Sequence, residues 1–303
     1  MAATFIDVCG KAVKVEGRLL RVARLDGEKF TFPDDPEVMV DALRTCGTRI
    51  DLFTFIQRVP ETTPKYDYPM EWDNFAVLPV STFDHWFTQQ IRSYPRNRAR
   101  QAEKKGVVLR EVPFDDALLQ GICDIYNETP IRQGRRFPHY GMDLERCRKY
   151  AGTFLDRSIF LGAFFEDKMI GFVKLVSDPT RTHACAIHIL SMVRHRDKAP
   201  TNALVAQAVR SCADRKISYL MYENFVYGKK GVDSLATFKE VNGFQRMDLP
   251  RYHVALTAAG RLALRLGLHH RLIDRLPAPL LARLRALRNN WHTRQLQTSA
   301  EAS

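Results

Sequence analysis

The chain reads as an α/β protein, a mixed sheet flanked by helices, and three observations predict this. From residue 107 onward, apolar strand-like runs alternate with helical patterns, which points to at least one parallel strand pair. IFLGAFFEDKMIGFVKLVSD (159–178) sets two apolar runs around Glu166-Asp167-Lys168, a hairpin signal. APTNALVAQAVRSCADRK (199–216) has an amphipathic helical period and lies between the strand patterns ACAIHILSMV (184–193) and ISYLMYENFV (217–226).

The remaining elements follow in chain order. KAVKVEGRLLRVARLDGEKFTF (11–32) alternates roughly as two strands. Asp34-Asp35-Pro36 opens a helix, PEVMVDALRTCG, that Gly47 stops. IDLFTFIQ (50–57) and FAVLPV (75–80) read as strands, separated by the proline-punctuated loop 59–69. Ser81 or Thr82 caps the next helix, which Pro95 should kink or break. The strand VVLREV (107–112) precedes a helix over 115–126 and another over 143–156. VDSLATFKEVNG (232–243) is a short helix ended by Gly243, and YHVAL (252–256) is expected to close the sheet.

The chain has 303 residues, 45% hydrophobic and 26% charged, enough to bury a large core without a disulfide or metal staple. Its net charge of +12 favours anionic partners. Six cysteines show no CxxC pair, and the nine histidines lack HxH or HExxH spacing, so reduced thiols and no metal are expected. The N-terminus has no long apolar run, and the expected location is cytoplasmic. The last 47 residues carry eight arginines against Asp274 and Glu301, with Leu and Arg interleaved in helical patterns. This basic tail either caps the core or docks on an anionic membrane face.

Residues 107–256 resemble a GNAT-type acyltransferase domain, on the hairpin about Phe165 and Ile170, strand 184–193 and helix 199–216. Three features are similar to the FemAB-like branch: RNRARQAEKKGVVLREV (96–112), the ATFKEVNGF box (236–244), and a preceding α/β region. The resemblance implies a tandem organisation. Residues 1–95 would be a degenerate N-terminal GNAT-like unit, 96–256 the acyltransferase domain, and 257–303 a basic amphipathic tail. It implies N-acyl transfer with no permanently bound cofactor, the co-substrate being acyl-CoA or aminoacyl-tRNA. The segment MVRHRDKAPTNAL (192–204) departs from the acyl-CoA pattern, since it has no glycine.

The site residues follow from this frame. The helix start at 198–204, preceded by basic residues, places Arg194, Arg196, Lys198, Thr201 and Asn202 against donor phosphate. The resemblance implies that Phe238 and Lys239 face the donor; a surface lysine paired with Glu240 or Glu103 is the structural alternative. At the end of strand 217–226, Glu223 is a candidate base and Tyr222 or Tyr227 a candidate acid, with Tyr222 and Asn224 on one face and Glu223 on the other. His188 reads as a core histidine. In IYNETPIRQGRRFPHYG (125–141), Arg132, Arg135 and Arg136 suit a phosphorylated or acidic acceptor. Gln133 adds a donor, Phe137 and Tyr140 could stack on a ring, Asn127 and Glu128 bound the pocket at the helix end, and His139 is a base near neutral pH. The alternative is a structural loop whose arginines bond helix C-terminal carbonyls. The expected reaction moves an acyl or aminoacyl group to an amine of a cell-envelope, sugar or peptide precursor. The alternatives are an aminoacyl-tRNA-dependent peptidyltransferase, or a non-catalytic RNA- or lipid-binding protein on the same fold.

Overall fold

A computed structural model describes residues 3–132, 134–227 and 234–270. The first hairpin joins β1 (Thr4–Val8) and β2 (Lys11–Glu16) through Cys9 and Gly10, both at positive φ, the geometry that suits the strand twist. β1 lies upstream of the two strands expected from sequence, because its outward positions are exposed and carry little apolar signal. β3 (Val22–Leu25) leads to α1 (Pro36–Thr45), where the Asp35 side chain accepts from the N–H groups of Glu37 and Val38. β4 (Leu52–Ile56) is buried at every position, as expected of a central strand. β5 (Met70–Pro79) starts five residues before the apolar run that marks it.

The helical segment expected over 81–107 divides in two. α2 (Phe83–His85) runs into a π turn at Trp86–Gln90, and α3 (Ser93–Lys104) follows. The break falls at Ile91 and Arg92, which are extended, rather than at Pro95. Pro95 sits in the first turn of α3, where its missing N–H costs nothing. β6 (Val108–Val112), α4 (Asp116–Asn127), the short hairpin β7 (Ile131–Arg132) and β8 (Arg135–Arg136), and α5 (Leu144–Ala151) come next. α5 ends at Gly152, short of the expected 156, and Leu155–Arg157 forms a separate 3-10 turn. β9 (Ser158–Phe165) and β10 (Lys168–Ser177) form the expected hairpin through Glu166 and Asp167, both at positive φ. β11 (His183–Ser191), α6 (Pro200–Asp214), β12 (Tyr219–Asn224), α7 (Ser234–Val241), β13 (Gln245–Ala255) and α8 (Ala258–Arg265) complete the described elements.

Eleven strands form one mixed sheet in the order β1-β2-β3-β4-β13-β5-β12-β11-β10-β9-β6. Two pairs are parallel, β3 with β4 and β11 with β12, and each is joined by a crossover helix, α1 or α6. The succession antiparallel pair, crossover helix, parallel strand therefore occurs twice, as β2-β3-α1-β4 and as β10-β11-α6-β12. β13 does not close the sheet at an edge. It lies at the centre between β4 and β5, pairing 251–255 with 56–52 and 245–252 with 77–70. Its core positions Leu249, Tyr252 and Val254 are buried, which only a central strand provides. The boundary expected at 95/96 falls inside α3, and the two segments share this one sheet.

Helices cover both faces of the second segment. Phe172 of β10 packs on Tyr126 of α4, and Lys174 donates to the Ala151 carbonyl of α5. On the opposite face, Gly171 leaves room for Leu204 of α6. All six cysteines are free. Among the described residues no helix is long and apolar enough to cross a membrane. The Leu-Arg tail from residue 271 onward lies outside the described residues.

Candidate functional site

β11 and β12 pair only over 183–185 with 219–221. Beyond that the strands part, and β11 continues to Ser191 bonded on the β10 side alone. The register of β12 with β5 also breaks between Met221 and Asn224, where Glu223 adopts φ 52°. A non-glycine residue in the left-handed region is a strained feature that its surroundings must hold in place. The result is a cleft at the carboxyl ends of a parallel pair, beside the crossover helix, which is where open α/β sheets bind ligands.

One face of this cleft carries a ring of polar aromatics. His188 of β11 meets the Tyr150 hydroxyl of α5 at 3.1 Å. His139 stacks on Tyr126 at 4.7 Å between centroids, and lies 4.8 Å from Tyr150 and 5.4 Å from His188. Burial pushes His139 below the usual histidine range, and burial, with His139 and Lys174 nearby, pulls His188 down to about 4. Both rings are therefore neutral near pH 7. Burial, then the Glu223 charge, pushes Tyr150 up. Burial alone pulls Lys174 down to about 8, although its ammonium donates to Ala151 and Thr153 oxygens. Glu223 is ion-paired with Lys29, which stands on the loop after β3. That loop is latched to the second segment, since the Lys29 carbonyl meets His183 Nε2 at 2.9 Å.

The other face holds Tyr222, Phe238 and Lys239. Lys239 is fully buried, so it is not the surface lysine of the structural alternative. Its ammonium donates to the Asn224 carbonyl and lies over the rings of Tyr222 and Tyr227, at 5.0 and 4.8 Å. Glu240 pairs instead with Arg92. Burial, then Glu223, pushes the Tyr222 phenol up to about 12. The four expected catalytic residues thus divide, with Glu223 and His139 on one face of β12 and Tyr222 and Lys239 on the other.

The turn at Val193–Lys198 that leads into α6 differs from the expected phosphate site. The N–H groups of Val193 and Arg194 donate to the two carboxylate oxygens of Glu128, at 2.6 and 3.0 Å. A carboxylate from the chain itself thus occupies two amides of the turn that precedes α6, and its charge would oppose a pyrophosphate beside them. Arg194 and Arg196 project outward, while Lys198 lies over the Phe165 ring at 4.4 Å and beside Asp197. The Thr201 hydroxyl bonds that of Ser191 at 2.8 Å, and Asn202 is half-buried in the first turn.

The loop 125–141 is part scaffold and part open surface. Arg132 turns inward, donating to the Ser191 carbonyl at 2.7 Å and to the Ile125 carbonyl at the end of α4 at 2.6 Å, and pairing with Glu128. It holds the loop and is not a free fork for an acceptor. Asn127 likewise bonds the Met142 carbonyl and the Gly141 N–H, and Phe137 is buried under the Arg132 guanidinium. Arg135, Arg136 and Tyr140 are exposed at the rim. Gln133 lies outside the described residues.

Sequence reasoning missed Tyr150, Lys29 and Lys174, gave Glu128 only a place at the pocket boundary, and read His188 as core. The one available signal was a lysine at 174 inside an otherwise apolar strand run. It also missed a second cluster, since Glu71, His253 and His269 place a ligand atom each within 4.8 Å of one another. No spacing rule spans residues so far apart in the chain.

No family model matches the chain, and no curated protein matches it. Solved structures do. L-PGS from Bacillus licheniformis is similar with TM-score 0.57 and 13% identity, covering 87% of this chain and 88% of that one. FemX is similar with TM-score 0.55 and 9% identity, covering 87% and 90%. The DUF2156 C-terminal domain described as that of a lysylphosphatidylglycerol synthetase from Agrobacterium fabrum gives TM-score 0.54 and 12% identity, covering 87% of both. With its doubled crossover and splayed strands, the chain has the FemAB-like, GNAT-type fold of these proteins.

Proposed function

We propose that the chain is an acyl- or aminoacyltransferase that forms an amide in the cleft between β11 and β12. The observation that carries this is the cleft itself, where two strands part over neutral His139 and His188, Tyr150 and Glu223. An amine nitrogen attacks the donor's ester or thioester carbonyl, a C–N bond forms, and the C–O or C–S bond breaks. The Glu223 carboxylate, relieved of Lys29, or neutral His139 takes the amine proton, and the leaving atom is protonated in return. The buried Lys239 steadies the end of β12 from its other face. Arg135 and Arg136 at the rim attract an anionic acceptor, a sugar, peptide or cell-envelope precursor.

Between donors, an aminoacyl-tRNA is favoured over acyl-CoA. The turn that leads into α6 fits a CoA pyrophosphate poorly, because Glu128 fills its Val193 and Arg194 amides. A net charge of +12 suits a polyanionic donor. The test is a donor panel on the full chain: radiolabelled aminoacyl-tRNA pools and short and long acyl-CoAs, with loss of label from the donor measured. Turnover of aminoacyl-tRNA alone is expected. Turnover of acyl-CoA alone would reverse the choice of donor, and no donor binding at millimolar CoA or micromolar tRNA would overturn the enzyme reading.

A further inference from the structure

Glu71, His253 and His269 cluster at the start of β5, and His270 reaches Glu71 beside them. Glu71 stands at the start of β5, and His253 is its diagonal neighbour on β13, since Arg251 is directly opposite Glu71. Arg251 does not neutralise Glu71, because its guanidinium is committed to Glu28, Asp73 and Thr54. His269 and His270 arrive from the turn after α8. The distances to the Glu71 carboxylate are 3.0 Å from His269 Nε2, 3.1 Å from His270 Nε2 and 3.7 Å from His253 Nε2. The His253 and His269 rings are 4.7 Å apart between centroids.

His253 is 8% exposed, and its Nε2 is buried without a hydrogen-bond partner. Nδ1 of His269 is likewise buried without one. A buried ring nitrogen left so is costly in either tautomer, as a donor without an acceptor or a lone pair without a donor. A cation among the four atoms removes that cost for His253. Three imidazole nitrogens and one carboxylate oxygen are the donor set of a tetrahedral site, and imidazole selects Zn2+ over Ca2+ or Mg2+. Tetrahedral Zn2+ with bonds of about 2.0–2.1 Å spaces its ligand atoms about 3.3–3.4 Å apart. The Glu71, His253 and His269 atoms lie within 4.8 Å of one another, His270 Nε2 is 3.1 Å from the Glu71 carboxylate, and Glu71 and His270, both 42% exposed in their side chains, can rotate to close the difference.

We propose that Glu71, His253, His269 and His270 hold a structural Zn2+ ion that fastens the chain after α8 to β5 and β13. Four protein donors leave no open position, so the ion binds and orders rather than catalyses. The site is separate from the transfer cleft and does not depend on the function proposed for it.

The experiment uses the full chain, expressed without a polyhistidine tag. Metal content is measured by plasma mass spectrometry, and the apo protein is titrated with Co2+ while its visible spectrum is recorded. One zinc per chain, and a 1:1 Co2+ endpoint with the intense absorption of tetrahedral cobalt, are expected. His253→Gln and His269→Gln should weaken Co2+ binding by about 100-fold or more, with circular dichroism unchanged. Should His253→Gln fail to fold, the half-exposed His270→Gln serves in its place, with a weakened and altered cobalt spectrum expected. No stoichiometric Co2+ binding by the wild type, or unchanged affinity in both His269→Gln and His270→Gln, overturns the proposal.

Discussion

At the first parallel junction of the sheet, β3 stops one residue past its ladder with β4, and β4 is locked on its other side by β13 along 52–56. At the second, β11 runs six residues past its ladder with β12, and β12 slips its register against β5. The helices differ in the same sense. The α1 start is capped by the Asp35 carboxylate, whereas α6 starts at Ala199 in the left-handed region with no side-chain cap. The first junction fills with Met39, Val40, Leu43, Phe53 and Phe55. The second opens onto His139, Tyr150, His188 and Glu223. The same topology thus yields one packed unit and one cleft, and the deciding variable is where the ladder ends. Loss of pairing at the second junction leaves room for a substrate, and the packed first junction holds the sheet that positions it.

The comparison is broken most severely by exchanging which property each unit loses. Glu223→Gln should lower turnover by about 10²–10³-fold, roughly 3–4 kcal/mol of transition-state stabilisation, and leave the melting temperature nearly unchanged. Asp51→Ala in the first unit should do the reverse. Asp51 is fully buried and accepts from the Arg21 N–H and the Thr257 hydroxyl, both at 2.9 Å. Its loss should cost about 1–3 kcal/mol of stability, measured by urea unfolding, without changing turnover per folded molecule. Equal effects on both quantities in both variants would erase the distinction between the units.

A smaller effect is expected from pH. The native His188 has its pKa at about 4, and the unfolded chain titrates in the ordinary range near 6.5. Between these values the unfolded chain binds a proton that the native protein refuses. Stability from this group is therefore complete above pH 6.5 and falls as pH drops toward 4, by at most roughly 3 kcal/mol. His139 acts in the same direction. Urea unfolding at pH 7.5 and 5 should show the slope, and His188→Gln should lose its share. A variant with the wild-type slope would place the sensitivity at groups other than His188.

The smallest effect belongs to the rim. Replacing Arg135 and Arg136 together by alanine should raise the acceptor KM about 5–10-fold, near 1 kcal/mol, and leave unfolding unchanged. Arg132→Ala, by contrast, should destabilise the loop, because its guanidinium holds the Ile125 and Ser191 carbonyls.

The sequence legible in one dimension was the period of each element, and those readings carried the second segment well: β9, β10, β11, α6 and β12 lie within a few residues of where the pattern puts them. Order in the sheet was not legible. YHVAL looks the same at an edge or at the centre, since burial on both faces depends on strands 166 positions or more away in the chain, Pro79 and earlier. The roles of the arginines in 125–141 were equally hidden, because composition does not say which side chain turns inward. Pro95 was overread: a proline marks a boundary only when its N–H would have been needed, and the first turn of a helix does not need it. Glu128 was unreadable as the acceptor for the Val193 and Arg194 amides, since only the fold brings position 128 to 193.

The central place of β13 governs how the chain can be assembled on a ribosome. β4 and β5 are synthesised early, yet the strand that joins them emerges only after another 166 residues, roughly 8–33 s later at about 5–20 residues per second. Throughout that interval two apolar strands present unpaired edges to any other nascent chain. A stop anywhere before residue 245 leaves both without their partner, so premature termination yields a fragment that aggregates rather than a smaller folded unit.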